Sequence, residues 1–218
     1  MTAVQTYTTP ATSRAPSVGT VTLAGGLTLS AALALNFAMP SFGLDAGWDD
    51  PTAFAYYLSN APLLVGWGLL FVATALALRE WRAHGLLWRV GAAWTAVGFG
   101  AVTAGFVGVV FASLLGGMPA SDLANMVAGM SMMLGVGPGS LLLGAAVARE
   151  SADATTRYAG AFLALAAATF VGFFLTRGVA PESVALTAFL ALPVAWAVYG
   201  YARRSTERTV DTVAAPAA

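Results

Sequence analysis

The sequence predicts an all-α, polytopic integral membrane protein with six transmembrane helices and both termini on the cytoplasmic side. Three observations predict it. The chain has 218 residues, of which 58% are hydrophobic and only 9% charged, whereas a soluble domain carries about 25% charged residues. Several charge-free runs exceed the ~18 residues that cross a ~30 Å hydrocarbon core. The ten basic residues are all arginine, and nine of them fall on one side of those runs. Basic residues, not net charge, set orientation. The ten acids divide five and five and carry no such signal. Leu/Ala-rich runs without period-two alternation do not read as the strands of an outer-membrane barrel.

Residues 1–17 are rich in Thr, Ser, Pro and Ala and read as a disordered cytoplasmic tail. The first span is expected over 18–39, longer than the apolar core of a signal peptide. Further spans are expected over 54–78, 88–115, 122–147, 158–176 and 184–202, and residues 203–218 read as a second disordered tail. Residues 18–202 thus form one six-helix membrane domain.

Two kinds of loop alternate between the spans. Arginine marks Arg79 to Arg89, Arg149 to Arg157 and Arg203 to Arg208. Acid and proline mark the others: Asp45 to Pro51, Met118 to Asp122 and Ala180 to Ser183, with Arg177 the one basic residue on that side. Asp50-Pro51, Ser121-Asp122 and Pro181-Glu182 each place a cap, a first-turn proline or an acid where a helix begins. The rhythm from arginine through glycine to the next arginine suggests three hairpins of one orientation. Any six-span chain obeying the positive-inside rule gives the same rhythm.

Within the spans, proline falls in each even one, at Pro62, Pro138 and Pro193. Gly135-Val136-Gly137-Pro138-Gly139-Ser140 is the strongest helix-breaking cluster. It predicts either a packed kink or an unwound segment of the kind that frames transporter sites. Asn36, Asn60 and Asn125 are the chain's asparagines. At about 1.5 Å per residue they lie ~6, ~13 and ~6 Å inside the outer face. They serve either as helix-to-helix bonding groups or, with Tyr57 and Ser59, as the lining of an outward cavity. Asn36, Asn60, Asn125, Tyr57, Gly137, Pro138 and Gly139 are therefore the candidate solute-binding or gating residues.

Met126, Met130 and Met133 share one face of span four. The Met126-x-x-x-Met130 spacing is similar to the methionine pair of copper-importing channels. Histidine and cysteine are absent from the spans, and flexible packing is the reading adopted. Gly91, Gly98 and Gly105 recur every seven residues in span three and predict close approach of a neighbouring helix, of this chain or another copy. Trp81, Trp88, Tyr158, Tyr199 and Tyr201 fit an inner aromatic belt, and Trp48, Tyr56 and Tyr57 an outer one. Trp67 and Trp94 lie deeper, in the core or against lipid.

Several chemistries are excluded or disfavoured. Without cysteine there are no disulfides or thiolate sites, and without lysine there is no retinal Schiff base. A net charge of zero gives no footprint for nucleic acid. No ionisable residue lies deep in a span, which argues against a proton relay or a carboxylate-coupled antiporter. No paired acid, base or nucleophile is in place, so the chain is not expected to be an enzyme, and no cofactor or metal is expected. The reading that follows is a multi-pass protein of a prokaryotic plasma membrane that passes a small neutral solute. The alternative is a non-catalytic subunit or scaffold. The lipid bilayer is its partner in either case, with another copy or another membrane protein as the further partner considered.

Overall fold

The computed structural model describes residues 17–38, 54–114, 118–176 and 182–214. Among these every regular element is helical: α1 (Val18–Ala38), α2 (Phe54–Ala77), a 3₁₀ segment (Leu78–Ala83), α3 (Leu86–Leu114), α4 (Met118–Ser131), a π turn (Met132–Val136), α5 (Gly137–Glu150), α6 (Ala154–Leu175) and α7 (Glu182–Ala214). Because α4, the π turn and α5 are continuous, the described residues form six long helical rods. Five are long and apolar enough to cross a membrane by length and composition. The sixth, α7, carries no charge from Ser183 to Ala202. This is the architecture of a polytopic membrane protein.

Local chemistry sets the helix starts that the structure describes. Ser17 Oγ accepts the Thr20 N–H at 3.2 Å and begins α1, and Asp153 accepts the Thr156 N–H at 2.7 Å and begins α6. Both are N-caps that satisfy a donor the helix itself cannot. The caps expected at the opposite end, and the N-terminal tail, lie outside the described residues or side chains. Inside the spans, hydroxyls bond back to their own helix: Ser30 to the Gly26 carbonyl at 2.7 Å, Thr95 to Gly91 at 2.7 Å and Thr103 to Phe99 at 2.7 Å. Such back-bonding lets a polar side chain sit in a span without an outside partner.

The six rods form a closed ring. Each packs on its neighbours in chain order, and α7 packs on α1 to complete the circle. Glycine makes the ring tight. A Cβ on Gly98 would lie 2.6 Å from the Val136 nitrogen, and one on Gly91 2.5 Å from the Leu143 nitrogen. The heptad glycines of α3 therefore receive the fourth rod of the same chain. Gly26 and Gly200 do the same between α1 and α7. Contact between hairpins is as close as contact within them. The hairpins are pieces of one ring, not separate units.

Two expectations change. α7 does not stop at 202; it continues as helix to Ala214, because Arg203 and Glu207 find partners on other elements and hold its next turn. Trp88 and Tyr199 are buried, not belt residues, while Tyr158 and Tyr201 are exposed as a belt requires. Trp67 is core and Trp94 is half exposed.

Candidate functional site

The axis of the ring is closed at one level and hollow on both sides of it. The closure is aromatic. Phe99 of α3 and Trp196 of α7, from opposite sides of the ring, meet edge to face with centroids 5.3 Å apart. Trp67 of α2 packs on Phe99 at 5.7 Å. Trp196 packs on Tyr199 at 5.8 Å. Offset and edge-on geometries of this kind are the favoured ones for aromatic pairs. Trp196 Nε1 donates to Ser140 Oγ of α5 at 3.2 Å, and both side chains are buried. One hydrogen bond thus fixes the ring that seals the axis.

On the side away from the arginines lies a cavity of about 380 Å³. Every rod contributes to its wall: Leu33 and Asn36 from α1, Leu63 and Trp67 from α2, Phe106 from α3, Met132 from the π turn, Phe170 from α6, and Phe189, Leu192 and Pro193 from α7. Phe170, Phe174 and Phe189 pack edge to face around one side. Among the described residues the wall is apolar apart from the Asn36 amide and the Trp67 indole.

At the arginine end a second cavity of about 300 Å³ is polar. Glu80, His84, Glu150, Tyr199, Arg203 and Glu207 line it. Arg203 organises one side. It donates to Glu80 Oε2 at 2.6 Å, to Glu207 Oε1 at 3.2 Å and to the Tyr199 hydroxyl at 3.5 Å. Glu207 in turn accepts the Gly19 backbone N–H at 3.3 Å, at the amino end of α1 where the helix dipole favours a carboxylate. Glu150 accepts the Gly85 N–H at 3.3 Å. His84 stacks on Trp88 at 4.0 Å. Partial burial, then the Arg203 charge, lowers its pKa below the ordinary 6.5, so the neutral imidazole is favoured.

The fourth rod shows how the proline cluster is accommodated. The helix neither unwinds nor breaks; it widens into the π turn, where Gly137 N–H bonds the Met132 carbonyl five residues back. Pro138 has no N–H for the Leu134 carbonyl four residues before it. Trp94 Nε1 of α3 donates to that carbonyl at 2.8 Å. A freed carbonyl at membrane depth needs such a partner. Gly139 lets the same stretch lie against α3, since a Cβ there would be 2.6 Å from the Thr95 nitrogen. The wide turn brings Met132 into the cavity wall.

Of the residues singled out from sequence, Asn36 lines the apolar cavity and bonds the Ala32 carbonyl of its own helix at 3.0 Å. Asn60 is buried in α2, one turn before Leu63. Asn125 lies on the exposed face of α4, away from the axis. The side chain of Tyr57 lies outside the described residues. Gly137, Pro138 and Gly139 lie at the π turn, Gly137 and Gly139 buried. Sequence reasoning missed the Phe99–Trp196 closure and the Arg203 cluster. Trp67 was legible only as a deep aromatic. Met126 and Met130, the pair spaced as in copper channels, are both exposed.

The chain matches no protein-family model, no curated protein and no solved structure.

Proposed function

We propose that this protein is a transporter or channel-like passage for a small neutral solute, with the aromatic layer as its barrier and with no catalytic role. The observation that carries this reading is the Phe99–Trp196 contact across the ring axis, with a cavity on each side of it. A helical scaffold would gain from packing its axis solid. Here a cavity borders the aromatic layer on each side, and all six rods face the larger one.

Charge supports a neutral solute. Among the described residues the apolar cavity has no acid or base in its wall. A bare ion there would face the full desolvation penalty. The polar cavity holds its arginine between two carboxylates, and Glu150 leaves its lining net acidic, so it disfavours an anion leaving on that side.

The test is solute flux into vesicles. Purified protein in liposomes is challenged by rapid mixing with acetamide, N-methylacetamide or N,N-dimethylacetamide, and swelling is followed by light scattering. Faster swelling than in protein-free vesicles for one of the three, and faster still for Phe99→Ala, is the expected result. Swelling equal to that of empty vesicles for all three, in wild type and variant alike, would sink the reading.

A further inference from the structure

Trp67 stands at the junction of the apolar cavity and the aromatic layer. Its ring forms part of the cavity wall and also packs on Phe99 in the layer below. The residue is 5% exposed, and its Nε1 is a buried donor with no acceptor among the described residues. Buried indole N–H groups ordinarily have a partner. The contrast with its neighbours is direct: Trp94 Nε1 has the Leu134 carbonyl and Trp196 Nε1 has Ser140. Trp67 alone of these three is left unsatisfied.

An orphaned donor in a wall of aromatic and aliphatic groups can be satisfied by an acceptor that arrives with the solute. The other polar group of the wall, the Asn36 amide, already bonds within α1. A solute bearing a charge would lack a counter-ion, and one bearing several polar groups would leave most of them unpaired against Phe106, Phe170 and Phe189. The indole is a donor only, so it takes an oxygen acceptor and not a second donor.

We infer that the apolar cavity binds a neutral solute with an apolar body and a single carbonyl-type oxygen, and that Trp67 Nε1 is the donor that selects it. This deepens the transport reading and rests on it for the solute's passage, though not for its binding. In the unliganded state Nε1 is sealed by its neighbours. The indole therefore turns toward the solute to donate.

The experiment uses the full chain in lipid nanodiscs, with ¹⁵N-labelled tryptophan and ¹³C-methyl methionine. The probes are acetophenone and ethylbenzene, which share a shape and differ by one carbonyl. The Met132 methyl reports occupancy of the cavity and the Trp67 indole reports the hydrogen bond. Trp67→Phe and Met132→Leu assign the two signals. The expected result is that both probes shift Met132, and that only acetophenone moves the Trp67 indole proton downfield. Acetophenone should bind roughly five- to tenfold more tightly than ethylbenzene, as one net hydrogen bond implies, and the preference should vanish in Trp67→Phe.

Three results would overturn the inference: no shift of Met132 with either probe, a shift of Met132 by acetophenone with Trp67 unmoved, or a Trp67 proton already at its hydrogen-bonded position without a probe, which would mean a bound water is the partner. The probe comparison is made within the wild-type protein, so it does not depend on the variant folding. If the carbonyl is selected but no solute crosses vesicles, the transport reading fails and the site stands. If solutes cross and Trp67 is silent, the reverse holds.

Discussion

Arg203 and Glu80 lie 123 positions apart in sequence and 2.6 Å apart in the folded chain. Their bond joins the last rod to the turn after the second. The Arg203 side chain is only 14% exposed, against 50% for Glu80. Removing the arginine therefore leaves Tyr199 without its donor and Glu207 with only the Gly19 N–H, while Glu80 can turn to water. Arg203→Met should destabilise the protein by about 1–2 kcal/mol, less than a fully buried pair would lose. Arg203→Lys should not restore it, because the three acceptors are reached by three separate guanidinium nitrogens and an ammonium has its three N–H groups on one. Thermal unfolding in mild detergent reads both, and stability equal to wild type in Arg203→Met would refute the assignment.

The seal at the axis depends on Ser140. In Ser140→Ala the Trp196 indole loses its acceptor inside the ring, at a cost of about 1–3 kcal/mol. Trp196→Phe in the Ser140→Ala background removes the stranded donor and should recover part of that loss. The double-mutant cycle is the check. Additive losses would mean that the 3.2 Å contact carries no energy.

Glycine substitutions should divide into two classes. Gly98→Ala and Gly139→Ala each drive a Cβ to 2.6 Å from backbone nitrogen of the facing element. Each should cost on the order of 1–3 kcal/mol as the rods part. At Gly129 and Gly172 a Cβ meets nothing within 4 Å. Alanine there should be neutral or should stabilise by up to about 1 kcal/mol through helix propensity. Unfolding midpoints of the four variants decide the matter.

Pro138→Ala restores an N–H that can reach the Leu134 carbonyl now held by Trp94. The π turn should tighten toward an α-turn and the Trp94 indole proton should move upfield as its bond weakens. Flux should change while the helical content does not. An unchanged Trp94 signal would show that the wide turn is held by Gly137 and its neighbours and not by the proline.

His84 gives a pH dependence with a definite sign. Its folded pKa is lowered, first by burial and then by Arg203. The neutral form is therefore the one the fold favours, and its contribution is fully present above the unfolded value of 6.5. It is lost as pH falls through 6.5 toward the folded pKa. His84→Phe keeps a ring on Trp88 and should remove that acid-side loss. Unfolding midpoints between pH 5 and 8 would show it.

Much of the fold was legible because lipid imposes length. The expected start at 18 and the one at 54 coincide with the beginnings of α1 and α2, since a charge-free run must become a rod. The heptad glycines of α3 announced a close neighbour for the same reason. The hollow axis was not legible. Leu63, Trp67 and Leu70 follow a helical spacing that suits a lumen wall and a lipid face equally, and hydropathy cannot tell the two apart when both are apolar. Arg203 was hidden by topology: its partners come from the turn after α2 and from α7 itself, so each looked like an ordinary solvated charge. The proline cluster was legible as a disturbance, but the rescue by Trp94 depends on a residue forty positions away.

Glu207 holds the Gly19 amide in the first turn of α1, and α1 lies along α7. The circle of rods consequently has no privileged beginning. A short polar linker joining the two ends, with new termini cut at Ser151 between α5 and α6, would leave every helix pair intact and both new ends on the arginine side. Such a circular permutant should insert and fold as the parent does, with the order of synthesis changed and the finished object the same.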